Sequence, residues 1–291
     1  MKFSANILAI IVAALLASWL TTMFTSNSDS SVSVESPKET AYERIVKTDT
    51  IRCAYAVWPP YMMVDANSGQ LSGAAYDQMV EIAKYLELKL DWVEEVGYGN
   101  YIEGLNTGRY DMLCATVWPD GPRTRNTTLT IPGFFSTMYA FSRAGDVQTY
   151  QRFSDIDQAS VTIAAVDGDA TYSLARSRFP NAKVHALTQI SEGNEVLLAV
   201  MSDKADIALV DEGVFLGFDR SNSGKLIKLA ELGPIGVFSE SYSVPLGDFQ
   251  LKNMIDTALI YLTNSGITEE ILNRYEGSLY PPAPTFEENW R

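Results

Sequence analysis

The chain has few of the residue types that build metal sites and nucleic-acid interfaces. Its 291 residues include one histidine and two cysteines, and 36 acidic residues outnumber 22 basic ones, which gives a formal net charge of −14. So little His and Cys argues against a zinc site, and so acidic a chain lacks the basic patch that phosphates require. We therefore predict no metal, no other cofactor and no nucleic-acid partner, and we interpret the acidity as a source of solubility.

The two cysteines, Cys53 and Cys114, fall in apolar segments that are predicted to be core strands. A free cysteine in a core behaves as a small hydrophobic residue. Two such strands can also be neighbours, and an oxidising compartment would then permit a disulfide. Neighbouring parallel strands rarely provide the required geometry, so the sequence favours two buried thiols while leaving the bonded state open.

The N-terminal segment is predicted to direct export. Residues 5–24 contain no charged residue and follow Lys2. Their length is close to the roughly 20 apolar residues of a membrane span, and it also suits a secretory signal peptide. No Ala-x-Ala cleavage signal follows, so we expect an uncleaved anchor, with the rest of the chain periplasmic and attached to the inner membrane. The polar stretch that comes next is predicted to be a flexible tether.

One architectural unit occurs twice in the chain. Strand, helix, strand, helix and strand are predicted in that order at residues 50–56, 74–86, 89–94, 98–106 and 112–117, and again at residues 161–166, 170–179, 183–187, 191–201 and 207–210. Alternating strands and helices predict parallel sheets with helices on both faces. Ligands bind such sheets beyond the carboxyl ends of the strands, so two facing units would enclose a cleft. A later helix, over residues 251–262, has one apolar face.

Aromatic side chains follow the first predicted strand. Trp58 and Tyr61 flank two prolines, which end the strand and keep the turn extended. This arrangement would present both rings at the sheet edge where a ligand would lie. The alternative is that both rings pack under the loop.

The order of several motifs resembles the family 3 periplasmic solute-binding proteins of ABC transporters, a class that includes polar amino acid receptors. The motifs are an aromatic-Pro-Pro-aromatic turn after a strand, a helix opening at residues 71–77, the segment 104–111, and an arginine six residues before a Leu-Thr-Ile-Pro segment at residues 129–132. The resemblance covers roughly residues 45–275. No single motif is specific, and the ordered series carries the identification.

The resemblance implies an α/β chain with the two-lobed periplasmic-binding-protein type II fold, in which two parallel-core sheets are flanked by helices and joined by a hinge. The expected hinge strands lie at residues 140–143 and 237–243. The expected organisation is a signal anchor or signal peptide at 1–25, a tether at 26–44, lobe 1 at 45–141 plus 240–277, lobe 2 at 142–239 and a tail at 278–291.

In lobe 1, the resemblance assigns the ligand's carboxylate to Arg123, whose guanidinium can fork onto two oxygens. Arg125 is the competing candidate, and a surface ion pair is the ordinary alternative for Arg123. Thr116 matches a position that hydrogen-bonds the ligand. Trp118 departs from the family, which has a small hydroxyl residue there, so we expect it to narrow the pocket or to stack on the ligand.

The aromatic wall of the pocket is assigned by resemblance to Tyr98. Tyr101 is the alternative, and either ring could belong to the core.

In lobe 2, the resemblance assigns the ligand's amino group to Asp211, with Glu212 as the alternative and a turn-forming role as the ordinary explanation. Asp169 stands at a helix start that meets the ligand carboxylate in the family. Its side chain is also suited to capping that helix. A negative charge at this position predicts weaker carboxylate binding by lobe 2 than is usual.

The predicted function is that of an exported, monomeric receptor that closes over a small amino-acid-like or carboxylate solute. Its expected partner is an ABC permease, and we predict no catalytic residue. A dehydratase-like enzyme on the same scaffold and a ligand-sensing module are the alternatives, because fold does not decide function. The single histidine, His185, lies in a predicted strand without an apparent nucleophile partner.

Overall fold

The computed structural model describes residues 14, 15, 17–19, 39–275, 277, 279, 280 and 282. Residues 1–39 and 40–291 belong to two separate compact units. Most of the predicted anchor at residues 5–24 lies outside the described residues, and the five of its residues that are described are helical. None of the described helices has both the length and the apolar character of a membrane span.

The second unit alternates helices and strands. The described helices are α1 (Ala41–Thr48), α2 (Ala74–Tyr85), α3 (Tyr101–Thr107), α4 (Gly121–Asn126), α5 (Phe153–Ile156), α6 (Ala170–Arg178), α7 (Gly193–Met201), α8 (Glu212–Asn222), α9 (Phe249–Asn264) and α10 (Ile267–Leu272). The described strands are β1 (Thr50–Tyr55), β2 (Met63–Val64), β3 (Leu71–Ser72), β4 (Lys89–Glu95), β5 (Met112–Val117), β6 (Thr127–Arg143), β7 (Thr162–Val166), β8 (Lys183–Leu187), β9 (Ile207–Asp211), β10 (Leu226–Lys228), β11 (Gly236–Pro245) and β12 (Leu279–Tyr280).

Two parallel cores are joined by a pair of long antiparallel strands. The strand order is β4-β1-β5-β11-β6-β9-β7-β8. The pairs β1–β4, β1–β5, β7–β8 and β7–β9 are parallel, as the repeated unit predicts. Strands β11 and β6 pair with each other and reach both cores. We call the core around β1 lobe 1 and the core around β7 lobe 2; both predicted hinge segments lie on β6 and β11.

Burial follows the position of each strand and helix. Every residue of β5 is buried, as expected for a parallel strand covered on both faces. Strand β4, at the sheet edge, alternates between exposed and half-buried residues. Helix α9 buries the apolar face predicted from its periodicity, including Leu251, Ile255 and Leu259.

An aspartate performs the same structural role in each copy of the repeat. Asp111 precedes β5 and accepts a hydrogen bond from the backbone N–H of Arg52, 2.6 Å away. Asp206 precedes β9 and accepts one from the backbone N–H of Thr162 at 2.8 Å. Each carboxylate also pairs with arginine, Asp206 with Arg143 at 3.0 Å and Asp111 with Arg52 at 2.9 Å. These contacts tie the first strand of each unit to its third strand.

The two cysteines form a disulfide, so the prediction of two buried thiols is wrong. Cys53 on β1 and Cys114 on β5 have Cα atoms 5.4 Å apart, within the usual range of about 4.4–6.8 Å. Cys53 lies opposite Met112 in the ladder, and Cys114, two residues further on, has its side chain on the same face as that neighbour. Adjacent parallel strands therefore bring these two side chains within bonding distance.

Most element boundaries lie within two residues of the predicted ones, and three differences are larger. Helix α1 begins at Ala41 and buries Ile45, so residues 41–44 of the predicted tether belong to a helix. The second helix of the first repeat begins at Tyr101, which leaves Tyr98 in the preceding turn. Within the predicted tail, β12 pairs with β6 rather than staying loose.

Candidate functional site

A cavity with about 310 Å³ of empty space, part of it open to solvent, lies where the carboxyl ends of β1, β5, β7 and β9 approach one another. Its lining residues are mostly aromatic, acidic or hydroxylated. They are Trp58, Tyr61, Tyr98, Thr116, Val117, Trp118, Arg123, Asp169, Thr171, Asp211 and Glu240. All eight residues that the sequence nominated are among them, so the structure brings the whole predicted set together around one space.

The competing candidates lie elsewhere. Arg125 is exposed, and Tyr101 is fully buried in the core of lobe 1. Glu212 pairs with Lys228, whose Nζ is 2.6 Å from the Glu212 carboxylate. His185 lies on β8 and does not line the cavity.

Arg123 is hydrogen-bonded through both its backbone and its guanidinium group, and the residue is only 2% exposed. Asp120 caps helix α4 by accepting a hydrogen bond from the Arg123 N–H at 2.7 Å, which fixes the backbone. One guanidinium nitrogen donates to the Trp118 carbonyl at 3.0 Å, and the other donates to Asp169 Oδ2 at 2.9 Å. Burial alone would lower the pKa of Arg123, but the Asp169 carboxylate raises it above its ordinary value, so the charge is retained.

The two carboxylate oxygens of Asp169 accept hydrogen bonds from different lobes. Oδ1 accepts from the Thr171 backbone N–H at 2.8 Å and caps α6, as the sequence predicts. Oδ2 reaches across the cavity to Arg123. The Asp169 carboxylate therefore occupies the side of the guanidinium that the resemblance assigned to a ligand carboxylate.

Asp211 ends β9 and is 2% exposed. Its Oδ2 accepts a hydrogen bond from the Trp58 indole at 3.1 Å, a second contact between the lobes. Oδ1 is buried and forms no hydrogen bond of regular geometry among the described residues, although the Ser136 and Tyr61 hydroxyls lie close enough to lower the pKa of this carboxyl group. Burial, and then the charge of Glu240, raises the pKa of Asp211 to about 7. The free oxygen of a buried carboxyl group is a strong candidate for binding a cationic group of a ligand.

Glu240 is a cavity residue that sequence reasoning missed. It accepts hydrogen bonds from the Trp118 indole and the Ser136 hydroxyl, both at 2.7 Å. Burial raises the pKa of Glu240. The register of β11 against β6 shifts next to Glu240, and such bulges redirect side chains. A lone charge in an otherwise apolar and serine-containing strand was the signal that could have identified it.

Aromatic rings form the walls between these charges. The turn after β1 contains a cis peptide bond between Pro59 and Pro60. The Trp58 and Tyr98 rings meet edge to face with centroids 5.7 Å apart. Trp118 stacks on Phe238 at 4.4 Å, so one indole face is already covered. Trp118 lines the cavity, and its indole N–H donates to Glu240.

The lobes also meet at the rim of the cavity. Gly97 and Gly99, in the turn after β4, pack against Gln189, in the loop after β8. A Cβ added at Gly97 would lie 2.3 Å from the Gln189 carbonyl oxygen. Glycine is therefore required for the lobes to approach this closely.

Chemically, the cavity offers one guanidinium that is already paired, two further carboxyl groups and several aromatic faces. It also contains buried hydroxyls without hydrogen bonds among the described residues, on Tyr61, Thr116 and Thr171. Such a set can orient a small ligand by hydrogen bonding and favours a positive charge on it.

Comparison with known proteins supports the same fold. Amino-acid-binding protein AabA of Dichelobacter nodosus is 23% identical over 214 residues, 71% of this chain and 80% of that protein. An arginine-bound amino acid ABC transporter substrate-binding protein from Streptococcus pneumoniae superposes with a TM-score of 0.69 at 20% identity, covering 81% of this chain and 97% of that one. An ancestral amino acid-binding protein, a precursor of cyclohexadienyl dehydratase, gives 0.70 at 19% identity, covering 81% and 99%.

The family match extends over nearly all of the second unit. The model of the bacterial extracellular solute-binding proteins, family 3, matches residues 51–278, a range that contains both parallel cores, the crossing strands and every residue that lines the cavity. The chain belongs to this family of bacterial extracellular solute-binding proteins.

Proposed function

We propose that this protein is a periplasmic receptor that encloses a small, amino-acid-like solute bearing an amino group and delivers it to an ABC importer. The observation that carries the ligand class is Asp211 Oδ1, a buried carboxyl oxygen that lines the cavity without a hydrogen bond of regular geometry among the described residues. The substrate-binding proteins for amino acids that share its fold support the same class of solute.

We propose that binding closes the two lobes about β6 and β11. Lobe 1 would comprise residues 45–141 and 240–277, and lobe 2 residues 142–239. The contacts from Arg123 to Asp169 and from Trp58 to Asp211 link these parts directly, and strands that cross between lobes are suitable hinges. We propose that the closed monomer presents both lobes to a permease in the membrane.

We also propose that residues 5–24 anchor the receptor to the inner membrane. Support comes from the uncharged apolar character of this segment and from Lys2 before it. Protease added to intact spheroplasts should degrade the domain that follows residue 40. Protection of that domain until the cells are lysed would contradict this topology.

Binding can be tested by thermal shift on the full-length protein in mild detergent, with a panel of amino acids, amines and short peptides. A ligand at about 100 times its Kd adds about 2.7 kcal/mol to the free energy of unfolding, so a true solute should raise Tm clearly. Titration calorimetry should then give a 1:1 stoichiometry. Asp211→Asn should abolish the Tm shift, whereas Glu231→Gln, which changes an exposed residue outside the cavity, should not.

A dehydratase-like enzyme is the second candidate function. The observation in its favour is Asp211, because a buried carboxyl group with a pKa of about 7 is suited to general acid catalysis near neutral pH. Incubation with cyclic precursors of aromatic amino acids, followed by proton NMR, would reveal any conversion. Turnover that is lost in Asp211→Asn would favour the enzyme over the receptor.

A further inference from the structure

The cavity binds its own carboxylate at the position that the sequence resemblance assigned to a ligand carboxylate. Arg123 donates to Asp169 on one side and to the Trp118 carbonyl on the other. Its Nε makes no hydrogen bond among the described residues, and that nitrogen lies 3.8 Å from Asp120 Oδ2. A ligand carboxylate that forms a forked pair with Arg123 would therefore have to share the guanidinium with the Asp169 carboxylate or displace it.

The balance of charge opposes an incoming anion. Arg123 is the one basic residue in the described lining, which also holds Asp169, Asp211 and Glu240. Once Arg123 and Asp169 neutralise each other, the two remaining carboxyl groups give the cavity a negative character. A ligand carboxylate would add a third acidic group to this cavity, whereas a cation would complement its charge.

The free groups of the cavity match an ammonium or guanidinium group. Asp211 Oδ1 is buried without a hydrogen bond of regular geometry among the described residues, and Trp58 and Tyr98 provide ring surfaces beside it. Cations bind well to aromatic faces, more strongly when they are removed from water. The hydroxyls of Tyr61 and Thr171 are also buried without hydrogen bonds of regular geometry in the described part of the chain. Their oxygens can accept hydrogen bonds from further N–H groups of the ligand.

We infer that the receptor selects small organic amines that lack a carboxylate over the corresponding α-amino acids. This inference rests on the proposed function and narrows its ligand class: the Arg123–Asp169 pair stays intact in the complex, and the cation binds between Asp211, Glu240 and the aromatic walls. Asp169 is then the specificity-determining residue, because it excludes the carboxylate that an arginine in this position would otherwise attract.

The test compares decarboxylated amines with their parent amino acids on the full-length protein: agmatine with arginine, cadaverine with lysine, putrescine with ornithine and histamine with histidine. Titration calorimetry should show that every amine that binds does so about tenfold or more tighter than its parent. A parent that binds as tightly as its amine overturns the inference and leaves the proposed function in place. If no compound of either series and no solute in the wider panel binds, the inference and the proposed function fail together.

Asp169→Asn tests the role assigned to the carboxylate. Asparagine is as good a helix cap as aspartate, so α6 should be preserved while Arg123 loses its charged partner. The preference for amine over parent amino acid should then fall about tenfold or more, mainly because amino acids bind more tightly. Asp167→Asn is the matched control, since Asp167 precedes the same helix but is exposed and does not line the cavity.

A second variant guards against loss of folding in the first. Glu240→Gln keeps an oxygen that can accept from Trp118 and Ser136 but removes one negative charge. It should weaken amine binding without strengthening amino acid binding. An unchanged ratio of amine affinity to amino acid affinity in folded Asp169→Asn would overturn the assignment of these carboxylates to ligand selection. An unchanged amine affinity in Glu240→Gln would also overturn it.

Discussion

Asp211→Asn should stabilise the protein without ligand at neutral pH, and should do so far less at acidic pH. The pKa of Asp211 is raised from 3.8 to about 7 by burial and by the charge of Glu240. Between those values the folded state keeps a proton that the unfolded chain has already released. The free energy of unfolding therefore falls as pH rises through this interval. The Asn variant avoids that penalty and retains an oxygen for the Trp58 indole.

The size of the stabilisation follows from the difference between the pKa of Asp211 in the folded protein and its pKa in the unfolded chain. The difference between 3.8 and about 7 corresponds to about 4 kcal/mol at about 1.4 kcal/mol per pH unit. Glu240, whose pKa burial also raises, shares the penalty with Asp211, so the gain of Asp211→Asn between about pH 4 and about pH 8 should be about 2–4 kcal/mol. The Tyr61 hydroxyl faces the same charges and stays protonated throughout, because burial and Asp211 raise its pKa well above the usual range.

Urea unfolding at a series of pH values, with the disulfide intact, measures this difference directly. Subtracting the wild-type free energy of unfolding from that of Asp211→Asn at each pH cancels the contributions of the other carboxylates, which are common to both proteins. Glu231→Gln, at an exposed position, should show a small difference that hardly varies with pH. A constant difference between Asp211→Asn and wild type at every pH would show that Asp211 ionises normally in the folded state.

Three further predictions concern the proton released on binding, the contact between the lobes at Gly97 and the disulfide. Binding of an amine should release a proton and tighten as pH rises through about 7, because the cation favours ionised Asp211; calorimetry in buffers of different ionisation enthalpy checks this, and a decrease in affinity with pH would contradict it. Gly97→Ala should weaken ligand binding at least about tenfold and also lower Tm without ligand, since its Cβ would lie 2.3 Å from the Gln189 backbone carbonyl oxygen and the two lobes would have to separate there; Gly121→Ala, with open space around it, is the control. Replacing Cys53 and Cys114 by alanine should cost about 2–5 kcal/mol in free energy of unfolding, and wild type with reductant should lose a similar amount.

The fold was predictable because its signals are local and repeated. Each copy of the unit alternates apolar strands with helices, and an aspartate precedes the third strand of both copies, at Asp111 and Asp206. In the structure both aspartates play the same role, because each accepts a hydrogen bond from a backbone N–H group of the first strand of its unit. The disulfide was mispredicted because it depends on the register of two strands, which a sequence pattern does not specify.

Eight lining residues of the cavity were predictable: Trp58 and Tyr61 because they follow a strand, where parallel sheets place ligand contacts, and the other six because of the resemblance to the solute-binding family. Glu240 does not obey this rule, because it lies within an antiparallel strand that crosses between the lobes. The ladder between this strand and β6 shifts register beside Glu240, and Glu240 faces the cavity at that point. Such a shift arises from tertiary pairing, so the sequence marks Glu240 as an unusual charge in its strand but does not show that it lies beside Asp211.

Asp169 shows how a local prediction can be correct and still incomplete. Its cap on α6 depends on residues two positions away, and the sequence predicts it. Its bond to Arg123 joins positions 46 residues apart and crosses from lobe 2 to lobe 1. Because the same carboxylate holds the lobes together and covers Arg123, a ligand carboxylate would have to share Arg123 with it or break a contact between the lobes in order to bind. An amine binding at Asp211 leaves that contact intact and adds its own attraction between lobes, so closure and ligand selection depend on the same pair of charges.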